Sequence, residues 1–379
     1  MNILFLHSSS DLYGASKVLL TTIHLLKKNG YTPIVVLSKT GPLSEALTKE
    51  NIEVILIPLG ILRKKYFSLL GLFNRIGNIQ SAKKKIIRIC SEKNIELIYS
   101  NTTTVLVGGL VAKKLNIRHI YHVHEIIEHP KWLGFFLHKF VTWSAQNIIA
   151  VSAAVNENIK KNVDNKKTWI IHNGLDIAQF LSIKDIKNEL KPLSQKIIIG
   201  MIGRISAGKG QDYFIDIADE LIKKKKNLLF LIVGDPYPGN EFVEEGIKNK
   251  IRSLGLTQYF RFLGYRTDIV EIFNTLDVFV LPSTAPDSFP TVILEAMACR
   301  KAIVATTQGG ALEMLIHNES GIFIPLDNAK NSAELMVPLL TDPTKRSAMG
   351  IAAFERVREK FSLSAFETRL MALINTFHA

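Results

Sequence analysis

The sequence predicts two doubly wound, Rossmann-like α/β domains in series, each built on a parallel sheet. Three observations carry that expectation. Short apolar or β-branched runs alternate with helical stretches along the whole chain, which is the pattern of βαβ units. The length of 379 residues, with 47% hydrophobic and 21% charged, suits two domains. A polar stretch of low periodicity, Asn173–Gln195, interrupts the alternation midway and holds Gly174 and Pro192, as a hinge linker does.

Taken in order, Asn2–His7 is a strand and Gly14–Lys28 a helix that ends at Gly30. Thr32–Ser38 is a strand, Pro42–Glu50 a helix and Glu53–Pro58 a strand. After a basic segment come a helix (Ser81–Lys93), a strand (Leu97–Ser100), a helix (Thr104–Leu115) and a strand (Ile117–His122). Trp132–Trp143 is helical, Asn147–Val151 a short strand, and Thr168–His172 closes the half. The second half starts afresh with strand Lys196–Gly203 and helix Gly210–Lys225. Asn227–Gly234 is a strand, Glu241–Leu254 a helix, Tyr259–Leu263 a strand and Ile269–Thr275 a short helix. Gly321–Pro325 is one more strand, and helices then run to the end, with breaks near Asp342–Pro343 and Phe361–Ser362. The expected domains are residues 1–178 and 179–360, facing a cleft. Ligands of such sheets bind beyond the carboxyl ends of the strands. Those ends are Ser8–Gly14, His122–Glu125, Gly203–Gly210, Gly234–Gly239 and Ser283–Pro290.

The stretch Leu276–Leu315 organises the second half. It reads as strand, tight loop, helix, strand, loop and a second short helix. Pro282 stops the strand Asp277–Leu281, and Ser283–Asp287 is rich in turn residues. Pro290 is expected as the first helical residue, where its missing N–H is no loss. Asp287, just before that helix, complements the helix dipole. Glu295 stands among Leu294, Ala296 and Met297, and a carboxylate in so apolar a turn wants a partner. The loop is an anion-ready helix N-terminus.

The net charge of +13 is uneven, since residues 1–180 hold 23 Lys and Arg against 11 Asp and Glu. The excess is densest in Val54–Ser91, which has no acid and carries Arg63, Lys64, Lys65, Arg75, Lys83, Lys84, Lys85 and Arg88 among Tyr66, Phe67, Leu69, Leu70, Leu72, Phe73 and Ile76. A basic amphipathic segment of this kind lies on anionic membrane surfaces. It reads equally as the solvated face of a basic domain. No nucleic-acid-binding motif accompanies it, so no nucleic-acid partner is expected. Cys90 and Cys299 stand far apart with no CxxC, which points to a reducing cytoplasm and no zinc site. MNILFLHSSS has no basic start and reads as a strand rather than a signal peptide, and no run of about 18 apolar residues predicts a membrane span.

Gly203-Arg204-Ile205-Ser206-Ala207-Gly208-Lys209-Gly210 follows a strand and opens a helix. Arg204 and Lys209 put two cations beside a helix N-terminus, which suits a diphosphate. A basic surface loop is as good a reading of this stretch alone. It is neither a Walker loop nor a dinucleotide fingerprint. Ser8–Gly14 is the matching loop of the first half, with Gly14 able to offer its N–H to an anion. His122-Val123-His124-Glu125 ends a strand. His122 and His124 share a face and Glu125 does not, which argues against a metal. His122 reads as structural, while a histidine at this edge can contact a substrate hydroxyl. No Asp-x-Asp occurs, so charge on a leaving diphosphate would be met by Arg204, Lys209 and helix N-termini.

The ordered string GRISAGKG, VGD, FLGY, DVFVLPS, D-x7-E within DSFPTVILEAMA, and GG-x-x-E resembles the retaining glycosyltransferases of the GT-B fold, of the glycosyltransferase family 4 (group 1) type. HVHE, VSAAV and HNGLD agree in the first half. The resemblance implies that Arg204 and Lys209 hold the donor diphosphate, that Glu295 binds the ribose and that Asp287 sits by the donor sugar. It implies that the N–H groups of Thr291 and Val292 meet phosphate, that Gly14 touches phosphate from the other domain, and that His124 lies near the transferred sugar. Tyr265 falls in the region that lines the base, and residues 361–379 form a last helix that crosses back to the first domain. The sequence departs from the family at Asp287, where Glu is commoner, at Pro290, where Gly is common, and at Arg300 and Ala302, where Gly and Pro usually follow the helix. The expected activity is metal-free, retaining transfer of a hexose or N-acetylhexosamine from a UDP- or GDP-sugar to a glycan or lipid-linked acceptor in surface polysaccharide synthesis. No resident cofactor or metal is expected, and residues 61–88 are the candidate membrane contact on the inner face. A nucleotide-sugar epimerase of the same architecture and a non-catalytic transferase partner are the alternatives.

Overall fold

Two parallel sheets, one in each half of the chain, organise the computed structural model, which describes residues 1–61, 69–164, 167–181 and 196–377. The first unit is Met1–Asn173 together with Glu367–Ala379, and the second is Gly174–Phe366.

In the first unit the strands are β1 (Asn2–His7), β2 (Thr32–Leu37), β3 (Glu53–Leu56), β4 (Ile95–Asn101), β5 (Arg118–Val123), β6 (Asn147–Ala150) and β7 (Thr168–Ile170). They lie in the order β3-β2-β1-β4-β5-β6-β7, and every neighbouring pair is parallel. Ile3–Leu6 of β1 and Val35–Leu37 of β2 are wholly buried, as strands covered on both faces must be. The helices are α1 (Gly14–Lys28), α2 (Pro42–Lys49), α3 (Leu69–Glu92), α4 (Leu106–Leu115), α5 (Lys131–Ser144) and α6 (Ala153–Lys160).

Two of these helices differ from the expectation. Helix α3 begins twelve residues before Ser81 and takes in much of the basic segment. Gly71 and Gly77 hide it, because each glycine weakens a helix by about 1 kcal/mol. What sustains it is the buried stripe Ile79, Ala82, Ile86, Ile89 and Cys90, packed on β1, β2 and β4. Lys84, Lys85 and Arg88 face outward. Arg63, Lys64, Lys65, Tyr66 and Phe67 lie outside the described residues, as do the side chains of Leu69, Leu70 and Leu72. Helix α6 was not expected as a helix at all. It is started by Ser152, whose Oγ accepts the Val155 N–H at 3.1 Å, and a single cap is easily missed in an eight-residue segment.

In the second unit the strands are β8 (Ile197–Ile202), β9 (Leu228–Val233), β10 (Phe260–Gly264), β11 (Val278–Leu281), β12 (Ala302–Thr306) and β13 (Ile322–Ile324). Their order is β10-β9-β8-β11-β12-β13, again parallel throughout. The helices are α7 (Gln211–Lys224), α8 (Glu241–Ser253), α9 (Ile269–Thr275), α10 (Thr291–Ala298), α11 (Ala311–Met314), α12 (Ala329–Thr341), α13 (Pro343–Lys360) and α14 (Leu363–Asn375). Phe214, Phe230 and Phe260 meet ring on ring in its core, the last two with centroids 5.1 Å apart. Most of the expected linker, residues 182–195, lies outside the described residues.

Pro290 is not the first helical residue. It is the N-cap of α10, at φ −69° and ψ 100°, one position earlier than expected, because its extended ψ cannot belong to the helix. The break at Asp342 is a true cap: its Oδ1 accepts the Lys345 N–H at 3.0 Å, with Pro343 at the first helical position. Arg300, standing where the family prefers Gly, adopts a left-handed φ of +52°. Helix α14 starts in the second unit, and the chain from Glu367 belongs to the first. There Glu367 accepts hydrogen bonds from Lys28 Nζ at 3.1 Å and Asn29 Nδ2 at 2.8 Å.

Candidate active site

The strand order of the second unit reverses between β8 and β11, and the loops that follow these two strands form its best-built site. Lys209, at the end of the β8–α7 loop, donates from Nζ to Asp287 Oδ1 at 2.6 Å. Ser283 Oγ donates to the other oxygen of Asp287 at 2.8 Å. The backbone joins the same loops, since the N–H groups of Thr284 and Ala285 both donate to the Gly208 carbonyl, at 2.9 and 3.1 Å. A third loop, after β12, locks on: Thr306 Oγ1 and Gln308 Nε2 donate to the Ser283 carbonyl, and the Gly310 N–H donates to Asp287 O at 2.8 Å.

Glycine is required where these loops touch. A Cβ on Gly210 would lie 1.8 Å from the Pro282 carbonyl oxygen, and its φ is +80°. A Cβ on Gly309 would lie 2.2 Å from Asp287 O at a φ of +61°. The glycines of GRISAGKG and GG-x-x-E therefore build the platform that holds Asp287 in place.

Three expected residues share one face of α10. Ile293, Leu294, Ala296, Met297 and Ala298 are buried, which leaves Thr291, Val292 and Glu295 as the less buried positions. The first N–H groups of any helix lack intrahelical partners, so the start of α10 offers donors beside Lys209 and Asp287. Arg204 lies with its guanidinium carbon 3.5 Å from the ring centroid of Tyr237, in the loop after β9. Tyr265 follows Gly264 (φ +63°) in the loop after β10 and is exposed.

The sheet of the first unit reverses between β1 and β4, and here the bridge is made of imidazole and amide groups. His7, the last residue of β1, places Nδ1 3.0 Å from the Asn101 carbonyl at the end of β4 and Nε2 3.0 Å from Ser16 Oγ. Asn101 donates from Nδ2 to Ala15 O at 3.2 Å, which orients its amide. Its Oδ1 then accepts from His124 Nε2 at 2.9 Å. His124 Nε2 therefore carries the proton, and Nδ1 is left as an acceptor. Burial holds His124 well below the usual histidine range, with His122 and His7 adding to the shift. His122, with Nδ1 2.8 Å from Tyr99 OH, is buried and pushed down to about 3, and so is structural. The two rings lie 4.1 Å apart, on one face. Glu125 takes N–H contacts from Thr103 and His124 instead, and burial raises its pKa against them. Gly14 opens α1 and is exposed, with nothing within 4 Å of its missing side chain. Asp11 accepts from Ser9 Oγ, Ser16 Oγ and the Tyr13 N–H, and these bonds outweigh burial to lower its pKa.

Residues 182–356 match the family model described as Glycosyl transferases group 1, and residues 13–179 match the Glycosyltransferase Family 4 model. The chain is a family 4-type glycosyltransferase. It is 26% identical to the capsular polysaccharide biosynthesis glycosyltransferase CapM of Staphylococcus aureus over 379 aligned residues, which cover 91% of this chain and 96% of that protein. It is 24% identical to the UDP-Gal:alpha-D-GlcNAc-diphosphoundecaprenol alpha-1,3-galactosyltransferase of Escherichia coli, over 87% of this chain and 86% of that one. Among solved structures, Anabaena Alr3699/HepE in complex with UDP superposes with a TM-score of 0.86 at 25% identity, covering 99% of this chain and 100% of the other. The fold of the glycosyltransferase is GT-B.

Several site residues were not singled out in the sequence. Ser283 lies inside the turn region and Tyr237 two residues past VGD, and neither carries a local signal for its partner, Asp287 or Arg204. His7 and Asn101 close β1 and β4, and their position at strand ends was the available signal.

Proposed function

We propose that this glycosyltransferase moves a hexose or N-acetylhexosamine from a UDP- or GDP-sugar to a glycan or lipid-linked acceptor in surface polysaccharide or glycoconjugate synthesis. It does so with retention and without a metal ion. The observation that carries this reading is the Lys209–Asp287 pair, which spans the switch point of the second sheet beside the start of α10. The relatives add support: one is named for capsular polysaccharide synthesis, another for an acceptor on diphosphoundecaprenol, and the Anabaena protein holds UDP.

In this mechanism Arg204 and Lys209 take the donor diphosphate, so Lys209 turns from Asp287 to phosphate as the donor enters. The Thr291 and Val292 N–H groups meet the same anion. Glu295 receives the ribose hydroxyls and Tyr265 lies along the base. Released from Lys209, Asp287 accepts from a donor-sugar hydroxyl. His124, held well below the usual histidine range by burial, accepts a hydrogen bond from a sugar hydroxyl at Nδ1. The acceptor oxygen bonds to the anomeric carbon on the face the diphosphate leaves, and its proton passes to the departing phosphate oxygen. The cations stabilise the charge that develops there, which is the role a metal has in transferases with Asp-x-Asp. The basic segment 61–88, whose described outer face carries Lys84, Lys85 and Arg88, sits against an anionic membrane.

The test is turnover of UDP- and GDP-sugars in EDTA, with and without a lipid-diphosphate-linked sugar acceptor, followed by NMR of the product. Transfer that needs the acceptor and keeps the donor's anomeric configuration is the expected result. Inversion, or a requirement for added metal, contradicts the mechanism. Conversion of the donor alone would make the protein an epimerase.

A further inference from the structure

Helix α5 carries its apolar residues on both faces. Leu133, Gly134, Leu137, His138, Val141 and Ser144 are buried, the spacing of a helix docked on its own unit. Leu133 and Leu137 pack with Leu106 of α4 and with Ile127. The opposite face of such a helix is ordinarily polar. Here it shows Trp132 at 59% exposure, Phe135 at 51%, Phe136 at 46% and Trp143 at 55%. These positions, spaced three, four and seven residues apart, form one stripe along the helix. The cations run with it: Lys139 sits 5.5 Å over the Phe135 ring, and Lys113 of α4 sits 5.5 Å over the Trp143 ring. Neither α4 nor α5 contains an acid.

We propose that this aromatic and lysine face of α5 is the surface by which the glycosyltransferase seats on the interfacial layer of an anionic phospholipid bilayer. Indole and phenyl groups settle at the boundary of headgroups and acyl chains, and lysines beside them meet anionic headgroups. Charge decides against the nearest rival, a second copy of the chain. A two-fold contact through α5 would set lysines against lysines with no acid on either helix to pair them. No described helix is long and apolar enough to cross a membrane, so the contact is interfacial. The inference deepens the proposed function by moving the main membrane contact from the 61–88 segment to α5. It rests on that reading only for what the contact is for. Six residues separate His124 from the start of α5, so a bilayer under α5 holds a lipid-linked acceptor at the edge where His124 stands.

The experiment is sedimentation of the whole protein with vesicles of phosphatidylglycerol and phosphatidylcholine, beside pure phosphatidylcholine, with UDP binding measured separately. Trp132→Ala with Phe135→Ala is expected to lower partitioning on the anionic vesicles by about tenfold or more while UDP binding persists. Neutralising Lys83, Lys84 and Lys85 to Gln is expected to lower it less. Unchanged binding of the aromatic variant overturns the proposal, and so does loss confined to the lysine variant. A dimer in the absence of lipid that the aromatic variant breaks would assign the face to a second copy and also overturn it. A conservative readout guards against misfolding. Brominated lipid should quench the wild-type tryptophan fluorescence, and Trp132→Phe with Trp143→Phe should bind as before with most of that quenching gone, leaving Trp169 of β7 as reporter. Quenching that survives in this variant overturns the placement. Failure of UDP binding with intact vesicle binding would count against the donor site alone.

Discussion

Both sheets are bridged at the point where strand order reverses, but in opposite chemistry. In the second unit the bridge is a cation and a carboxylate, Lys209 and Asp287, on loops packed so closely that glycine is obligatory. In the first it is a hydrogen-bonded chain of two imidazoles and an amide, His7, Asn101 and His124, beside a helix start at Gly14 with open space around it. One topology thus carries two kinds of edge. A cationic, rigid edge suits an anion whose charge grows during reaction. An edge of imidazole and amide groups, where burial pushes the pKa values of His122 and His124 down, suits hydroxyl groups.

Swapping glycines should break the comparison most visibly. Gly210→Ala forces a Cβ into the Pro282 carbonyl at a left-handed φ, and should abolish UDP binding and lower the second unit's melting transition by several degrees at least. Gly14→Ala, with room to spare, should shift calorimetric melting by no more than about 1 kcal/mol. Equal effects would mean that the two edges are built alike.

Acid separates the units next. His119, His122 and His138, all in the first unit, are pushed by burial to about 4, 3 and 4. Their folded values lie below the unfolded value near 6.5, so below that pH the unfolded chain binds protons that the fold refuses. Stability is complete above about pH 6.5 and falls as the pH drops toward 4, by on the order of 1.4 kcal/mol per histidine per pH unit. All three tryptophans, Trp132, Trp143 and Trp169, belong to the first unit, so tryptophan fluorescence should report its acid unfolding ahead of the second unit. Simultaneous loss of both units, or a first unit stable at pH 4, would contradict the assignment.

Smaller effects sharpen the charged edge. Asp287→Asn keeps an oxygen for Ser283 or Lys209 but loses the ion pair, and should lower kcat by about tenfold with little change in melting temperature. Unchanged kcat would make Asp287 structural. Tyr237→Leu removes the ring under Arg204 and should weaken UDP binding by about threefold to tenfold, read by calorimetry.

The sequence and the structure agree where local rules suffice. The strands and most helices follow from apolar runs bounded by glycine and proline, and the loops at the strand ends follow from those. α6 was hidden because one serine cap, rather than periodicity, starts it. The early turns of α3 were hidden because Gly71 and Gly77 disfavour a helix that tertiary packing then sustains. The pairing of Lys209 with Asp287 spans 78 residues, and that of His7 with Asn101 spans 94, so neither could be read before strand order was known. His124 was legible because HVHE marks a strand end. His7 was not, because it closes a strand whose four preceding residues are apolar.

The central claim is that the charged edge of the second unit is the nucleotide-donor site. Thermal stabilisation by UDP and GDP, compared between the wild type and Arg204→Ala with Lys209→Ala, tests it most directly. A nucleotide at 100 times its dissociation constant should stabilise the wild type by about 2.7 kcal/mol. The account predicts that one of the two nucleotides does so and that the double variant loses the effect. An undiminished shift in the double variant would place the donor elsewhere.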